Sequence, residues 1–212
     1  MPDFALEDEF GGVVAGVDEA GRGPWVGPVV AGCVVFVNRN VHPFLLDNLN
    51  DSKKLSKKKR EQLFQLLQDE AQQGHIKIGI GQASAQEIDE INILNASFLA
   101  MKRAIDTANV HPDLVLVDGN RNPQKFGYAT KAVIKGDAKS YSISAASILA
   151  KVYRDRLMEK MALQYPGYGF EKNAGYGTKT HIEGLKNRGV TPEHRKSYAP
   201  IKEFLKLDNG EA

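Results

Sequence analysis

A chain of 212 residues with 42% hydrophobic and 25% charged side chains is long enough for one buried core, and no Gly/Ser or Pro-rich linker divides it, so one domain over 1–212 is expected. No apolar run approaches the ~20 residues that cross a bilayer, and the acidic stretch 1–10 lacks the basic and apolar regions of a signal peptide. The single Cys33 excludes an internal disulfide. A monomer in the cytoplasm, with no membrane association, is the expectation. Net charge is only +2, but Lys53, Lys54, Lys57, Lys58, Lys59 and Arg60 crowd one stretch without an acid, and 121–160 is mostly basic. Such a run is usually a solvated helix face and less often a phosphate-binding surface.

In chain order, 13–17 and 29–37 are runs rich in β-branched residues and are predicted strands. Gly21, Gly23, Pro24, Gly27 and Pro28 forbid a helix between them, so the two strands are expected to pair antiparallel. Ser56 can cap a helix with Leu63, Leu66 and Leu67 on one face, ending near Gly74, and 76–80 is a third strand. Ser84 and Glu87 match a capping box, after which Leu94, Phe98, Met101 and Ile105 recur at helical spacing up to Asn109. The continuous apolar run 114–117 reads as a central, doubly covered strand closed by Asp118, Gly119 and Asn120. A fifth strand is expected at 130–134. Lys135, Gly136 and Asp137 then lead into a long helix on which Ala145, Ile148, Leu149 and Val152 share a face. The tail, about 178–207, is predicted as a small helical part with pieces after Thr178 and after Thr191, where Pro192 suits a helix start.

Three of these strands run into acids: Asp18 and Glu19, Asp118, and, shortly after the last, Asp137. A carboxylate at the end of an apolar strand sits where a sheet opens to ligands, and several together repel one another unless a cation neutralises them. Oxygen-only ligands without cysteine or paired histidine suit Mg²⁺ or Mn²⁺ rather than zinc. The five histidines, His42, His75, His111, His181 and His194, are scattered and form no evident ligand pair. Taken singly, each acid can equally be turn chemistry. Alternating side chains put Asp18 and Glu19 on opposite faces, so they share one site only if the chain bends at Gly21 or one of them contributes a backbone carbonyl. Gly21, Arg22 and Gly23 do not continue into a dinucleotide fingerprint, and no phosphate loop or HExxH motif is present.

The motifs DEAGRGP at 18–24, DSKKL at 51–55, LVDGN at 116–120, KGD at 135–137, SAASILAKVYRD at 144–155 and GYGTKTH at 175–181 together resemble ribonuclease HII, the type 2 ribonuclease H, over nearly the whole chain. Tyr153, where that family often has threonine, and Trp25 depart from the pattern without touching a carboxylate. The resemblance implies an α/β fold of the ribonuclease H type, a mixed five-stranded sheet flanked by helices, with Asp18, Glu19, Asp118 and Asp137 as catalytic, metal-holding acids. It implies endonucleolytic hydrolysis on the 5′ side of a ribonucleotide, in an RNA/DNA hybrid or embedded in duplex DNA. The products would be a 5′-phosphate and a 3′-hydroxyl, made with two ions about 4 Å apart, and the role would be ribonucleotide removal during DNA replication and repair.

The same resemblance points to Gly21, Arg22, Gly23 and Tyr176 as readers of the 2′-hydroxyl, the group that separates RNA from DNA at one position. Lys53, Lys54, Ser144, Ser147 and Lys151 are weaker candidates for phosphate contact; the two serines can equally be small residues that let a helix sit close to the sheet. Two rival readings are a carboxylate-pair glycosidase, which needs no metal, and a non-catalytic module that binds RNA/DNA hybrids.

Overall fold

The computed structural model describes residues 1–124 and 126–208. Lys125 of the basic stretch, and 209–212 at the end of the expected domain, lie outside the described residues. Five strands, β1 Val14–Ala20, β2 Val29–Phe36, β3 Ile76–Ala83, β4 Leu114–Asp118 and β5 Thr130–Val133, form one sheet in the order β3-β2-β1-β4-β5. β2 runs antiparallel to β1 and β3, whereas β1 with β4 and β4 with β5 run parallel. The sheet is therefore mixed, as expected, and β1 is its middle strand. Both β1 and β4 carry apolar residues at successive positions because both faces of the sheet are covered.

The helices are α1 Ala5–Phe10, α2 Pro43–Asn48, α3 Lys57–Gln72, α4 Ala85–Ala108, α5 Tyr141–Gln164, α6 Phe170–Asn173, α7 Lys179–Arg188 and α8 Ala199–Asp208. The expected caps are in place: Ser56 accepts from the Lys59 amide, and Ser84 and Glu87 exchange both bonds of a capping box. α4 is interrupted at Asn92, whose φ is +65°; its Oδ1 accepts from the amides of Leu94 and Asn95, so one short helix ends and another is capped at the same residue. α4 covers one face of the sheet through Ala100, Met101, Ala104 and Ile105, packed against Val17, Cys33 and Val117. α3 and α5 cover the other, where Leu63, Leu67, Ile148 and Leu149 meet Val34 and Ile76. No helix among the described residues is long and apolar enough to cross a membrane.

Several boundaries differ from the sequence reading. β1 runs through both acids to Ala20, with Asp18 opposite Gly32 and Glu19 opposite Ala31, because the antiparallel ladder with β2 continues past the apolar run. β5 stops at Val133, leaving Ile134 exposed. The predicted helix at Pro192 is absent: the Arg195 amide donates to the Trp25 carbonyl at 2.8 Å rather than to Thr191, where an α-helix would require it. α1, too short for a periodicity signal, buries none of its residues and is tied down by Glu7, which accepts from Ser140 Oγ and from the amide and hydroxyl of Ser142.

α5 lies unusually close to the sheet. A β-carbon at Gly16 would fall 2.3 Å from the Ser142 carbonyl carbon, and one at Gly32 2.4 Å from the Ala146 oxygen. Gly16→Ala is therefore expected to push α5 off β1 and cost about 1–3 kcal/mol, the usual range for overpacking. A lowered denaturation midpoint in urea at unchanged slope is the measurement; an unchanged midpoint would show that α5 yields without cost.

Candidate carboxylate site

The register of the sheet determines where the acids emerge. On β1, Gly16 packs against α5 while Val17 lies under α4, so alternation sends Asp18 to the α5 face and Glu19 to the α4 face. β4 lies parallel alongside, with Val117 opposite Val17, so Asp118 is the next residue on β4 just as Asp18 is on β1. The chain then returns: β5 ends at Val133, Lys135 adopts a left-handed conformation with φ +55°, and a 3₁₀ turn at Gly136–Ala138 carries Asp137. The Gly136 amide donates to Asp118 Oδ1 at 2.7 Å, which joins this turn to the end of β4.

All four acids lie within one electrostatic neighbourhood. Asp18 is buried, and burial raises its pKa well above the carboxylate range, with repulsion from Glu19, Asp118 and Asp137 adding to the shift. Glu19 is also raised by burial, against the pull of Arg22, which donates to its Oε1 at 3.2 Å. Asp137 is raised by burial, then by Asp118 and by Asp51, a fifth acid. Among the described residues only Glu19 of the four has an ion-pair partner within 4.0 Å. The cluster thus carries more negative charge than its own side chains neutralise, and its donors are all carboxylate oxygens, which suits a hard divalent cation. No three acids or imidazoles among the described residues form a ready-made cage.

β1 ends at Ala20, and Gly21 turns with φ +96°. Asp18 and Glu19 both open on a cavity of about 260 Å³, so the expected turn exists, one residue beyond the strand rather than between the acids. Gly21, Arg22, Gly23 and Tyr176 form another part of its wall. A β-carbon on Gly23 would fall 3.2 Å from Tyr176 Cε1, so loop and ring are adjacent, and the Tyr176 ring is half exposed. Glu19 also borders a hollow of about 60 Å³ shared with Arg22, Asp118 and Arg121.

Of the weaker candidates, Lys53, Ser147 and Lys151 line the larger cavity. Lys151 is paired with Asp155 at 2.6 Å, and Ser147 Oγ donates to the Ser144 carbonyl. The structure does not bring Ser144 or Lys54 into that lining: Ser144 is fully buried on α5 with an unpartnered hydroxyl, and Lys54 is exposed.

Sequence reasoning missed two buried arginines. Arg154 donates to the carbonyls of Pro28, Val26 and Ala174, and Arg195 to those of Gly21, Arg22 and Gly27. Neither has a carboxylate partner among the described residues, and burial, reinforced by Arg195, brings the Arg154 pKa down to about 10. Arg154 stands inside the motif at 144–155 and could have been singled out there; Arg195 lies in no motif. Two of the histidines read as scattered, His181 and His194, are in fact 3.1 Å apart and buried.

A family model described as Ribonuclease HII matches residues 15–201. The ribonuclease HII of Shewanella halifaxensis is 53% identical over 194 residues, 92% of this chain and 91% of the relative. That of Paramagnetospirillum magneticum is 49% identical over 205 residues, 97% and 99% of the two chains. Among solved structures, ribonuclease H2 from Pyrococcus horikoshii aligns with a TM-score of 0.74 at 31% identity, covering 93% of this chain and 99% of that one. The ribonuclease HII in a PCNA complex from Archaeoglobus fulgidus aligns at 0.70 and 25% identity, covering 88% and 95%. The mixed five-stranded sheet flanked by helices is thus the ribonuclease H-like architecture of these structures.

The electrostatics predict how stability responds to charge. Asp18 has a raised pKa, so the folded state holds its proton more tightly than the unfolded chain; stability falls as pH climbs from the ordinary carboxylate value to the raised one, and the penalty persists above it. At pH 7 in chelator, Asp18→Asn, which keeps the Oδ1 acceptor for the Glu19 amide, is expected to melt higher than wild type, by about 2–4 °C for each kcal/mol relieved. The gap should narrow towards pH 4, and Mg²⁺ or Mn²⁺ should raise the melting temperature of wild type more than that of the variant. A variant that melts at or below wild type at pH 7 would show that the buried charge carries no such penalty.

Proposed function

The chain belongs to the ribonuclease HII family, and on that premise we propose that Asp18, Glu19, Asp118 and Asp137 hold two divalent ions and that the cavity beside them admits the ribonucleotide at a cleavage junction. Family membership makes the protein a metal-dependent endoribonuclease of the ribonuclease H class, one that binds RNA/DNA hybrids. The observation that supports the finer reading is a cluster of four carboxylates, in which Glu19, Asp118 and Asp137 all repel Asp18, with two of them, Asp18 and Glu19, on the wall that also holds Gly21, Arg22, Gly23 and Tyr176.

Mg²⁺ or Mn²⁺, when bound, would activate the attacking water and stabilise the leaving oxygen. The chain's own part is to place the substrate. Backbone groups of Gly21 and Gly23 can approach the 2′-hydroxyl because no β-carbon intervenes. The half-exposed Tyr176 ring offers a surface for the adjoining sugar, with its phenol as a hydrogen-bond partner. Lys53 and Lys151 bring positive charge to the cavity rim for phosphate oxygens. The phosphorus–O3′ bond on the 5′ side of the ribonucleotide breaks, leaving a 3′-hydroxyl upstream and a 5′-phosphate on the ribonucleotide. We place this activity, as part of ribonucleotide removal from DNA, in a one-domain monomer in the cytoplasm. Buried Cys33, its thiol pushed up to about 12 by burial, suits a reducing compartment.

The decisive substrate is a labelled DNA duplex with one embedded ribonucleotide, incubated with Mg²⁺, Mn²⁺ or chelator. One cut 5′ to the ribonucleotide is expected with either ion and none with chelator; a duplex left intact with both ions overturns the reading, and cutting in chelator removes the metal role. Asp118→Asn is expected to lower kcat by about 10³-fold or more while still binding duplex. Tyr176→Phe is expected to lose about tenfold at a single ribonucleotide, the worth of one hydrogen bond; unchanged kinetics would take the phenol out of the site.

A further inference from the structure

The two halves of the wall assigned to sugar reading come from distant parts of the chain: Gly21, Arg22 and Gly23 follow β1, and Tyr176 precedes α7. One short turn between α7 and α8 grips both. Arg195, fully buried, donates to the Gly21 carbonyl at 2.6 Å and to the Arg22 carbonyl at 2.9 Å. Its Nη1 also meets Tyr198 Oη at 2.9 Å, and that hydroxyl donates to the Arg22 carbonyl at 2.6 Å. The glycine run is thus held through its own carbonyl groups, by the guanidinium and the Tyr198 hydroxyl.

The adjacent residue, His194, holds the other half through His181. The Tyr176 carbonyl can only accept, so the hydrogen in its 3.0 Å contact belongs to His181 Nδ1. In a neutral ring His181 Nε2 is then bare, and at 3.1 Å it accepts from His194 Nε2. His194 Nδ1 must in turn accept, and it does so from the Thr191 amide at 2.9 Å and the Thr191 hydroxyl at 2.8 Å. A backbone carbonyl at one end and a backbone N–H at the other therefore force both tautomers. Burial, which brings the His194 pKa down to about 4, keeps the pair neutral. The turn is anchored elsewhere as well: Asp89 on α4 accepts from the amides of Lys196 and Ser197 and from the Ser197 hydroxyl, at 2.9, 2.8 and 2.6 Å.

We propose that the turn at 191–198 is a clamp that sets the spacing between the glycine run and Tyr176, with Arg195, His194 and His181 as positioning residues for ribonucleotide selection. The inference rests on the assignment of that wall to the 2′-hydroxyl. Because His194 and Arg195 are consecutive, a shift of the turn moves both halves of the wall, and a misplacement of about 1 Å can cost about 100-fold in rate.

The test uses side-chain mimicry. Asparagine puts its amide nitrogen where His181 Nδ1 sits, so His181→Asn keeps the donor to Tyr176, whereas His181→Leu removes it. On a duplex with one ribonucleotide, His181→Leu is expected to lower kcat by about 10- to 100-fold with KM little changed, and His181→Asn to restore most of it. In a Tyr176→Ala background His181→Leu should add nothing, because both act through the same ring. Equal losses in the two backgrounds, no loss at all, or asparagine no better than leucine in variants that melt like wild type would each overturn the clamp. Should the leucine variant fail to fold, His194→Gln, which keeps a donor at the Nε2 position, is compared with the shorter His194→Asn on the same terms. If Tyr176→Ala itself matches wild type, the sugar-reading assignment falls and the clamp with it; if Tyr176→Ala is impaired and His181→Leu is not, only the clamp falls.

Discussion

Four carboxylates brought together, three at the ends of the parallel strands β1 and β4 and one on the turn after β5, with Asp18 buried on the middle strand of the sheet, are an arrangement that opposes folding. Lost hydration, with repulsion added, raises Asp18, Glu19 and Asp137 together, and among the described residues Arg22 on Glu19 is the one ion pair that offsets it. The rest of the architecture tolerates this. β1 is paired on both sides, with the ladder to β2 running through both its acids and the ladder to β4 up to Val17, and α5 lies against the sheet closely enough that Gly16 and Gly32 leave no room for a β-carbon. A group that destabilises its own fold persists where the surroundings over-determine its position, and such strain is commonly found at sites of function.

The opposite charge is buried nearby under a different rule. Arg154 and Arg195 sit behind the glycine run and donate to main-chain carbonyls, Arg195 to the Tyr198 hydroxyl as well, with no carboxylate partner among the described residues. A carbonyl carries only a partial charge, so the guanidinium groups stay positive while acting as fixed props for the loop. Arg22, the exposed arginine of the run, instead reaches Glu19. Three arginines within one small region thus do distinct work, and only burial and partners distinguish them.

Much of the sheet was legible from the sequence because β1, β2 and β4 are built on compact apolar runs and each long helix opens on a capping residue. The acids were legible for the same reason: a charged residue straight after such a run stands out. What escaped has a common physical origin. α1 and α2 are each six residues long, too short for a helical period to register. The turn at 191–198 uses its polar groups on partners far away in sequence, Trp25, Asp89 and Gly21 among them, so its local residues suggested a helix that tertiary bonding overrides. Likewise His181, on α7, and His194, in the turn that follows it, lie thirteen residues apart, and no spacing rule pairs them. The four acids are written in local pattern, whereas the groups that support the loop beside them are written only in tertiary structure.

The bond from Arg195 to the Gly21 carbonyl spans 174 positions of the chain. The strands of the sheet, the turn that carries Asp137, and α5 all lie before Tyr165 in the chain. During synthesis, then, the residues that form the carboxylate cluster emerge well before the turn at 191–198 that closes on Gly21 and, in the proposed reading, completes the sugar-reading wall. Long-range closure of this kind is slow, so on that reading the wall beside the acids would be completed after the acids themselves are in place.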